Sequence, residues 1–154
     1  MILKSPIQII YASTSGHTEA VVDRVAEAWR KTGIKVSLHR AEQASMEVIK
    51  NNQLFLLASS TWEHGQVNHF FKKFLKELKE VELDGKRAAI IGLGDSRYEP
   101  VYIAEGAVKL ERAWLAQGGK VVGEVLKIEG DPFTILETKV KAWAVETLST
   151  FENN

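Results

Sequence analysis

The sequence predicts a single α/β domain, a three-layer α/β/α sandwich whose five-stranded parallel sheet has the strand order 2-1-3-4-5. Short apolar segments alternate five times with segments of helical period. Such alternation favours a parallel sheet covered by helices on both faces, and right-handed crossovers leave few possible strand orders. The length of 154 residues suits one domain, and no linker or low-complexity stretch divides it.

Five strands are predicted from apolar or alternating segments. They cover residues 7–11, 34–38, 53–58, 87–93 and 120–126. The second strand alternates in the manner of a half-buried strand, whereas the third and fourth are nearly continuous apolar runs, which are typical of strands buried on both faces.

A helical pattern follows each strand. Apolar residues recur at helical spacing over 21–29, 70–78, 107–115 and 136–151, and a weak, short helix is predicted between 41 and 52. Gly33 and the pair Gly118-Gly119 are helix-terminating signals, and Asp84-Gly85 is a turn signal. The outer face of the helix predicted around 70–78 carries Lys72, Lys73, Lys76 and Lys79.

Composition excludes several classes of function. The 20 basic and 20 acidic residues cancel, whereas nucleic-acid-binding proteins are usually basic. The absence of cysteine excludes disulfides, thiolate metal sites and cysteine nucleophiles. The N-terminus lacks a signal-peptide pattern, and no run approaches the roughly 18 apolar residues of a membrane span. We therefore expect a soluble, cytoplasmic monomer with no nucleic-acid or membrane partner.

In this fold class ligands bind beyond the carboxyl ends of the strands, which directs attention to three loops. The loop after the first strand consists of Ser13, Thr14, Ser15, Gly16, His17 and Thr18. Its four hydroxyls, its glycine and the helix N-terminus that follows suit a phosphate monoester held by neutral donors. The alternative is ordinary helix capping, for which serine and threonine are common.

The loops after the third and fourth strands each carry an aromatic residue. The former contains Ser60, Thr61, Trp62, Glu63, His64 and Gly65, and the latter begins at Gly94, directly after Leu93, and contains Asp95 and Tyr98. Trp62 and Tyr98 beside a phosphate-type loop suggest a planar, phosphorylated ligand held between two rings. The alternatives are a Trp62 packed on a neighbouring helix, a partly buried Tyr98 and an Asp95 that caps a helix or turn.

Other site patterns do not match. The P-loop motif is absent, and Gly92 and Gly94 lack the third glycine of a dinucleotide fingerprint. The chain has no GxSxG nucleophile elbow. A receiver domain needs acidic residues where Ala12-Ser13 and Ala58-Ser59 stand.

The three loops resemble those of the flavodoxin family. Tyr11 to Glu19 resembles its phosphate loop, with a T/S-x-T/S-G-x-T core; Ser60-Thr61-Trp62 resembles its second loop, and Gly94-Asp95-Ser96-x-Tyr98-Glu99 its third. The resemblance covers essentially the whole chain. No long insertion splits the fifth strand, which resembles the short-chain subgroup.

The resemblance implies the flavodoxin-like fold and an FMN-dependent, low-potential one-electron carrier rather than an enzyme. Residues 13–18 would hold the FMN phosphate, Trp62 and Tyr98 would sandwich the isoalloxazine, the backbone of Leu93 to Asp95 would meet its pyrimidine edge, and the 62–65 turn would face N5. The expected partners are an NAD(P)H-dependent flavodoxin reductase or similar donor and an acceptor redox enzyme. The alternative is an FMN oxidoreductase of the same fold, of the quinone-reductase type.

Several residues depart from the family pattern. His17 stands where asparagine is frequent and Ser15 where threonine is, and both retain donors. Glu63-His64 stands where the family's turn often begins with glycine. The peptide flip that stabilises the flavin semiquinone should therefore cost more free energy here. A penalty of about 1 kcal/mol would lower the first reduction potential by about 40 mV. The net charge of zero also departs from the usual acidic character and places an acidic docking face in question.

Overall fold

The structure, a computed structural model, describes residues 5–62, 66–94 and 105–153. Its strands are β1 (Ile7–Ala12), β2 (Val36–Arg40), β3 (Leu54–Trp62), β4 (Gln66–Val67), β5 (Arg87–Gly94), β6 (Lys120–Val121) and β7 (Leu126–Glu129). The parallel order is β2-β1-β3-β5-β6, with β7 also paired to β5 and β4 antiparallel to β3. Because β5 is the predicted fourth strand and β6 with β7 the fifth, the order 2-1-3-4-5 is confirmed.

Helices cover both faces of this sheet. They are α1 (His17–Arg30), α2 (Met46–Lys50), α3 (Lys72–Leu78), α4 (Glu105–Ala116) and α5 (Lys141–Asn153). A 3-10 turn at His69–Phe71 leads into α3, another lies at Pro132–Thr134, and a π-helical turn at Leu136–Val140 leads into α5. Within the described residues, no helix is long and apolar enough to cross a bilayer.

Both faces of the central strands are buried, which explains their nearly continuous apolar sequences. Successive residues of a strand point to opposite faces. Ile9 and Leu56 therefore pack in the core beneath α1 and α5, whereas Ile10 and Leu57 pack in the core beneath α3 and α4. The two cores hold the carboxyl ends of the strands in a fixed relation to each other.

The second and fifth predicted strands differ from those of the structure. The second begins at Val36 rather than at residue 34, because residues 34–35 still connect the end of α1 to the sheet. The predicted fifth strand is interrupted between Val121 and Leu126, where the indole N–H of Trp143 donates to the carbonyl of Glu124 at 2.7 Å.

One residue of the predicted fourth helix face is exposed. Leu115 is 50% exposed, whereas Trp114 is fully buried and its indole N–H donates to the carbonyl of Lys86 at 3.1 Å. The buried apolar face of α4 consists of Ala107, Leu110 and Trp114, whereas Leu115, the last residue of the predicted pattern, lies in the helix but outside that face.

Candidate functional site

The carboxyl ends of β1, β3, β5 and β7 meet at one edge of the sheet. Ala12, the last residue of β1, is level with Ser59 of β3, and Gly94 of β5 is level with Glu129 of β7. Strand β3 continues three residues beyond Ser59, about 10 Å at the usual rise of a strand. At this edge β3 therefore extends further than β1, and Trp62 lies beyond the level at which the loop after β1 begins.

The loop after β1 makes a tight turn into α1. The N–H of Gly16 donates to Ser13 Oγ at 3.1 Å, and its carbonyl accepts the first helical hydrogen bond, from Ala20, at 3.0 Å. Gly16 has a φ of 88°, in the left-handed region that favours glycine. A Cβ at Gly16 would meet no atom of the described residues within 4 Å, so the backbone conformation, rather than crowding by those residues, requires the glycine.

The first turn of α1 presents donors toward this loop. The N–H groups of His17, Thr18 and Glu19 have no acceptor in the part of the chain that the structure describes. Unpaired N–H groups and the helix dipole give such an end partial positive charge. The turn can therefore bind an anion without a basic side chain.

Thr18 supplies the most informative side chain of the site. Its residue is 1% exposed, and its Oγ1 is buried without any partner among the described residues. A buried hydroxyl without a partner costs about 1–3 kcal/mol. This orphaned hydroxyl, at the same helix end as the unpaired N–H groups, fits a phosphate oxygen. Of the other hydroxyl residues, Ser13 is buried, whereas Thr14 and Ser15 are exposed.

A charged cluster lies behind the loop. Arg40, the last residue of β2, places Nη2 at 3.1 Å from Glu19 Oε2, and its Nη1 at 3.6 Å from Glu42 Oε1 and 3.5 Å from the carbonyl oxygen of Ser13. Its guanidinium also lies over the ring of Tyr11, 5.5 Å from the centroid. Sequence reasoning missed Arg40; the signal was its place at the end of the strand that neighbours β1, level with Tyr11.

The negative charge of Glu19 affects the pKa values of two neighbouring side chains, Tyr11 and Asp23. Burial raises the pKa of the Tyr11 phenol, and the negative charge of Glu19 raises it further. Burial and Glu19, in the same order, also raise the pKa of Asp23. Glu19 is therefore a source of negative potential at the start of α1.

The turn after β7 also touches the first loop. The rings of His17 and Phe133 meet edge to face, with centroids 5.6 Å apart. Phe133 is 56% exposed, and its N–H donates to Asp131 Oδ1 at 2.8 Å. Sequence reasoning missed Phe133 as well, because it follows a different strand.

The residues predicted as the start of the second loop belong to a strand instead. Ser60, Thr61 and Trp62 lie in β3, and Thr61 and Trp62 pair with β4 in a short hairpin. The predicted end of the third strand at residue 58 was therefore wrong, because main-chain pairing with β4 and β5 extends β3.

The hydroxyls of this segment hold the sheet edge together. Ser60 Oγ accepts from Asn68 Nδ2 at 2.9 Å, and Thr61 Oγ1 accepts from the N–H of Gly106 in α4 at 3.0 Å. Glu63, His64 and Gly65 lie outside the described residues, so their predicted place beside a ligand stays a prediction.

The third predicted loop begins at the end of β5. Leu93 is buried in the core beneath α1 and α5, and the carbonyl of Gly94 accepts from the N–H of Gly130 at 2.7 Å. A Cβ at Gly92 would lie 3.0 Å from the backbone nitrogen of Ala107 and closer still to its Cβ, so Gly92 lets α4 pack directly on β5. Asp95 and Tyr98 fall outside the described residues.

Comparison with known proteins gives consistent matches. The family model described as flavodoxin matches residues 9–143. The flavodoxin of Maridesulfovibrio salexigens is 33% identical over 127 residues, which are 80% of this chain and 86% of that protein.

Solved structures match in fold over nearly the whole chain. Oxidised flavodoxin 1 from Bacillus cereus superposes with a TM-score of 0.85 at 26% identity, covering 94% of this chain and 98% of its own. A flavodoxin from Fusobacterium nucleatum, solved bound to flavin mononucleotide, has a TM-score of 0.77 at 18% identity, covering 97% of this chain and 98% of its own. The second likeness concerns the fold alone.

Proposed function

Because the chain belongs to the flavodoxin family, we propose that the loop from Ser13 to Thr18 holds the phosphate of its FMN cofactor. A flavodoxin binds FMN and carries electrons rather than acting as an enzyme, and this chain is accordingly an FMN-dependent electron carrier. The observation that supports the phosphate site is the buried Oγ1 of Thr18 beside the N–H groups of the first turn of α1, all of which lack a partner in the described part of the chain.

The chain's own residues would perform three tasks at this site. The loop of Ser13, Thr14, Ser15, Gly16, His17 and Thr18 binds the phosphate through hydroxyl and N–H donors. Ser60 and Thr61 would carry Trp62 to one face of the ring, and Tyr98 would cover the other. The backbone of Leu93, Gly94 and Asp95 would meet the pyrimidine edge, and the turn of Glu63, His64 and Gly65 would face N5. When bound, FMN supplies the one-electron chemistry that the side chains lack.

The family implies redox partners, and their identity is part of the proposal. We propose an NAD(P)H-dependent flavodoxin reductase or a similar donor, and a redox enzyme as acceptor. The chain would act in the cytoplasm as a monomer, with residues 1–154 forming one domain.

An anaerobic titration tests the proposal. The protein, saturated with FMN and freed of excess, is reduced stepwise with dithionite while the visible spectrum is recorded. One FMN per chain that takes up electrons in two one-electron steps is the expected result. A protein that stays colourless after incubation with FMN would contradict the site, and steady NAD(P)H oxidation by the protein alone would favour a flavoenzyme of the same fold.

A further inference from the structure

Charges of opposite sign lie directly behind the proposed phosphate loop. We infer that Arg40 determines how strongly this protein prefers a phosphorylated flavin to an unphosphorylated one, by cancelling the charge of Glu19 beside the phosphate. The inference rests on the proposed function of the loop at residues 13–18.

Glu19 stands in a position unfavourable to a bound phosphate. It follows Thr18 directly and lies in the first turn of α1. A carboxylate there stabilises the helix end, since it interacts with the same partial positive charge that would attract an anion. A phosphate monoester carries about −1.5 to −2 charges at neutral pH. Glu19 therefore repels the ligand that the loop is built to hold.

Arg40 is placed to remove this repulsion. Its Nη2 is 3.1 Å from Glu19 Oε2, and residues 13–18 contain no lysine or arginine that could do the same. Arg40 and Glu19 are 35% and 41% exposed, so solvent weakens their field without abolishing it. Without Arg40, the uncancelled charge of Glu19 would face the phosphate.

Glu42 adds a second negative charge beside Arg40. Its Oε1 lies 3.6 Å from Arg40 Nη1, and its Oε2 is buried and accepts no hydrogen bond in the described part of the chain. One positive and two negative charges thus share the cluster, which is already negative by one charge. Loss of Arg40 would leave both carboxylates uncancelled.

A purely structural role for Arg40 makes a different prediction. Arg40 also donates weakly to the carbonyl of Ser13 and lies over Tyr11, so it is a candidate for simply holding the loop in place. If it only held the loop, neutralising Glu19 would not repair its loss. If it cancels charge, the Glu19→Gln substitution should repair it.

The test measures the dissociation constants of FMN and riboflavin for each variant at low salt, by quenching of flavin fluorescence. Riboflavin lacks the phosphate, so the ratio of the two constants reports the phosphate contribution alone. We expect E19Q to raise the preference for FMN about fivefold, R40M to lower it about fivefold to tenfold, and R40M/E19Q to restore it to the wild-type value or above. These differences should shrink in 1 M salt, because the charges are partly exposed.

Arg87 offers a matched control. Its guanidinium lies over the ring of Phe151, 5.8 Å from the centroid, and its Nη1 donates to a backbone carbonyl, but it stands at the start of β5, the opposite edge of the sheet. R87M should leave the ratio unchanged.

Three results would overturn this inference while leaving the proposed function intact. They are an unchanged ratio of the two dissociation constants in E19Q, a ratio in R40M/E19Q that stays as low as in R40M, and an equal loss of affinity for FMN and riboflavin in R40M. Since E19Q keeps Arg40, it is decisive even where R40M folds poorly. A wild-type protein that binds neither flavin would instead overturn the proposed function, and the inference with it.

Discussion

Replacement of Thr18 by valine should affect the free protein and its complex with FMN in opposite directions. The substitution exchanges the hydroxyl for a methyl group of similar size, and the two residues have similar helix propensities. In the free protein Oγ1 is buried and has no partner among the described residues. Since an unsatisfied buried hydroxyl costs about 1–3 kcal/mol, we expect Thr18→Val to raise the free energy of unfolding of the apoprotein by about 1 kcal/mol.

The complex should respond in the opposite sense. A hydrogen bond from Thr18 to a charged phosphate oxygen would contribute about 1.5–3 kcal/mol, so its loss should weaken FMN binding about tenfold to hundredfold. Riboflavin has no phosphate, and its affinity should not change. Thr18→Ser keeps the hydroxyl and should bind FMN within a few-fold of wild type.

Urea unfolding of the apoprotein and fluorescence titration with each flavin measure the two effects. Ser59→Ala is the control, because Ser59 Oγ is also buried but donates to the carbonyl of Ser60 at 2.8 Å and accepts from the N–H of Asn68 at 3.0 Å. Its loss should destabilise the apoprotein by about 1–3 kcal/mol. A Thr18→Val apoprotein less stable than wild type, or one with undiminished FMN affinity, would refute the reasoning.

Further substitutions test the backbone and the pH dependence. Gly16→Ala should destabilise the apoprotein by about 1 kcal/mol in urea unfolding, because φ is 88° but no atom of the described residues opposes the Cβ; a neutral effect would indicate that the turn relaxes. Gly92→Ala should cost about 1–3 kcal/mol through collision with Ala107, and adding Ala107→Gly should recover part of it; strictly additive losses would contradict the packing. Burial lowers the pKa of His39 below its ordinary 6.5, so the unfolded chain binds the proton first and stability should fall as the pH decreases below 6.5. His39→Gln should flatten that dependence in urea unfolding at pH 5 and 8, and an unaltered slope would assign it to other groups.

The central strands could be predicted from sequence because both of their faces are buried. For β1 and β5 the prediction misses a single residue at the carboxyl end, since nearly every position is apolar whichever way it points. The fifth strand lies at the edge of the sheet, and a segment of strand-like residues there does not require continuous pairing. The strand is interrupted between Val121 and Leu126, and Trp143 donates to the carbonyl of Glu124 there, a contact that depends on a helix residue 19 positions further along.

The site residues also differ in whether a local sequence pattern predicts them. The loop from Ser13 to Thr18 is contiguous, so its residue types and its place before a helix are visible in the sequence. Arg40 and Phe133 reach it from the ends of other strands, and their contacts depend on strand register and side-chain direction, which no local pattern contains.

Residue type alone also does not separate a ligand-binding hydroxyl from a structural one. Thr18 follows β1 and Thr61 lies near the end of β3, at the same sheet edge, and both belong to motifs that sequence reasoning assigned to the cofactor. The hydroxyl of Thr61 accepts from the N–H of Gly106 and so anchors α4 to β3, whereas that of Thr18 has no partner among the described residues. Because folding leaves few buried polar groups unsatisfied, the unpaired hydroxyl is the stronger indicator of a ligand. The partner that each hydroxyl has or lacks, rather than its place in a motif, therefore distinguishes the residue expected to touch the phosphate from the one that holds the edge.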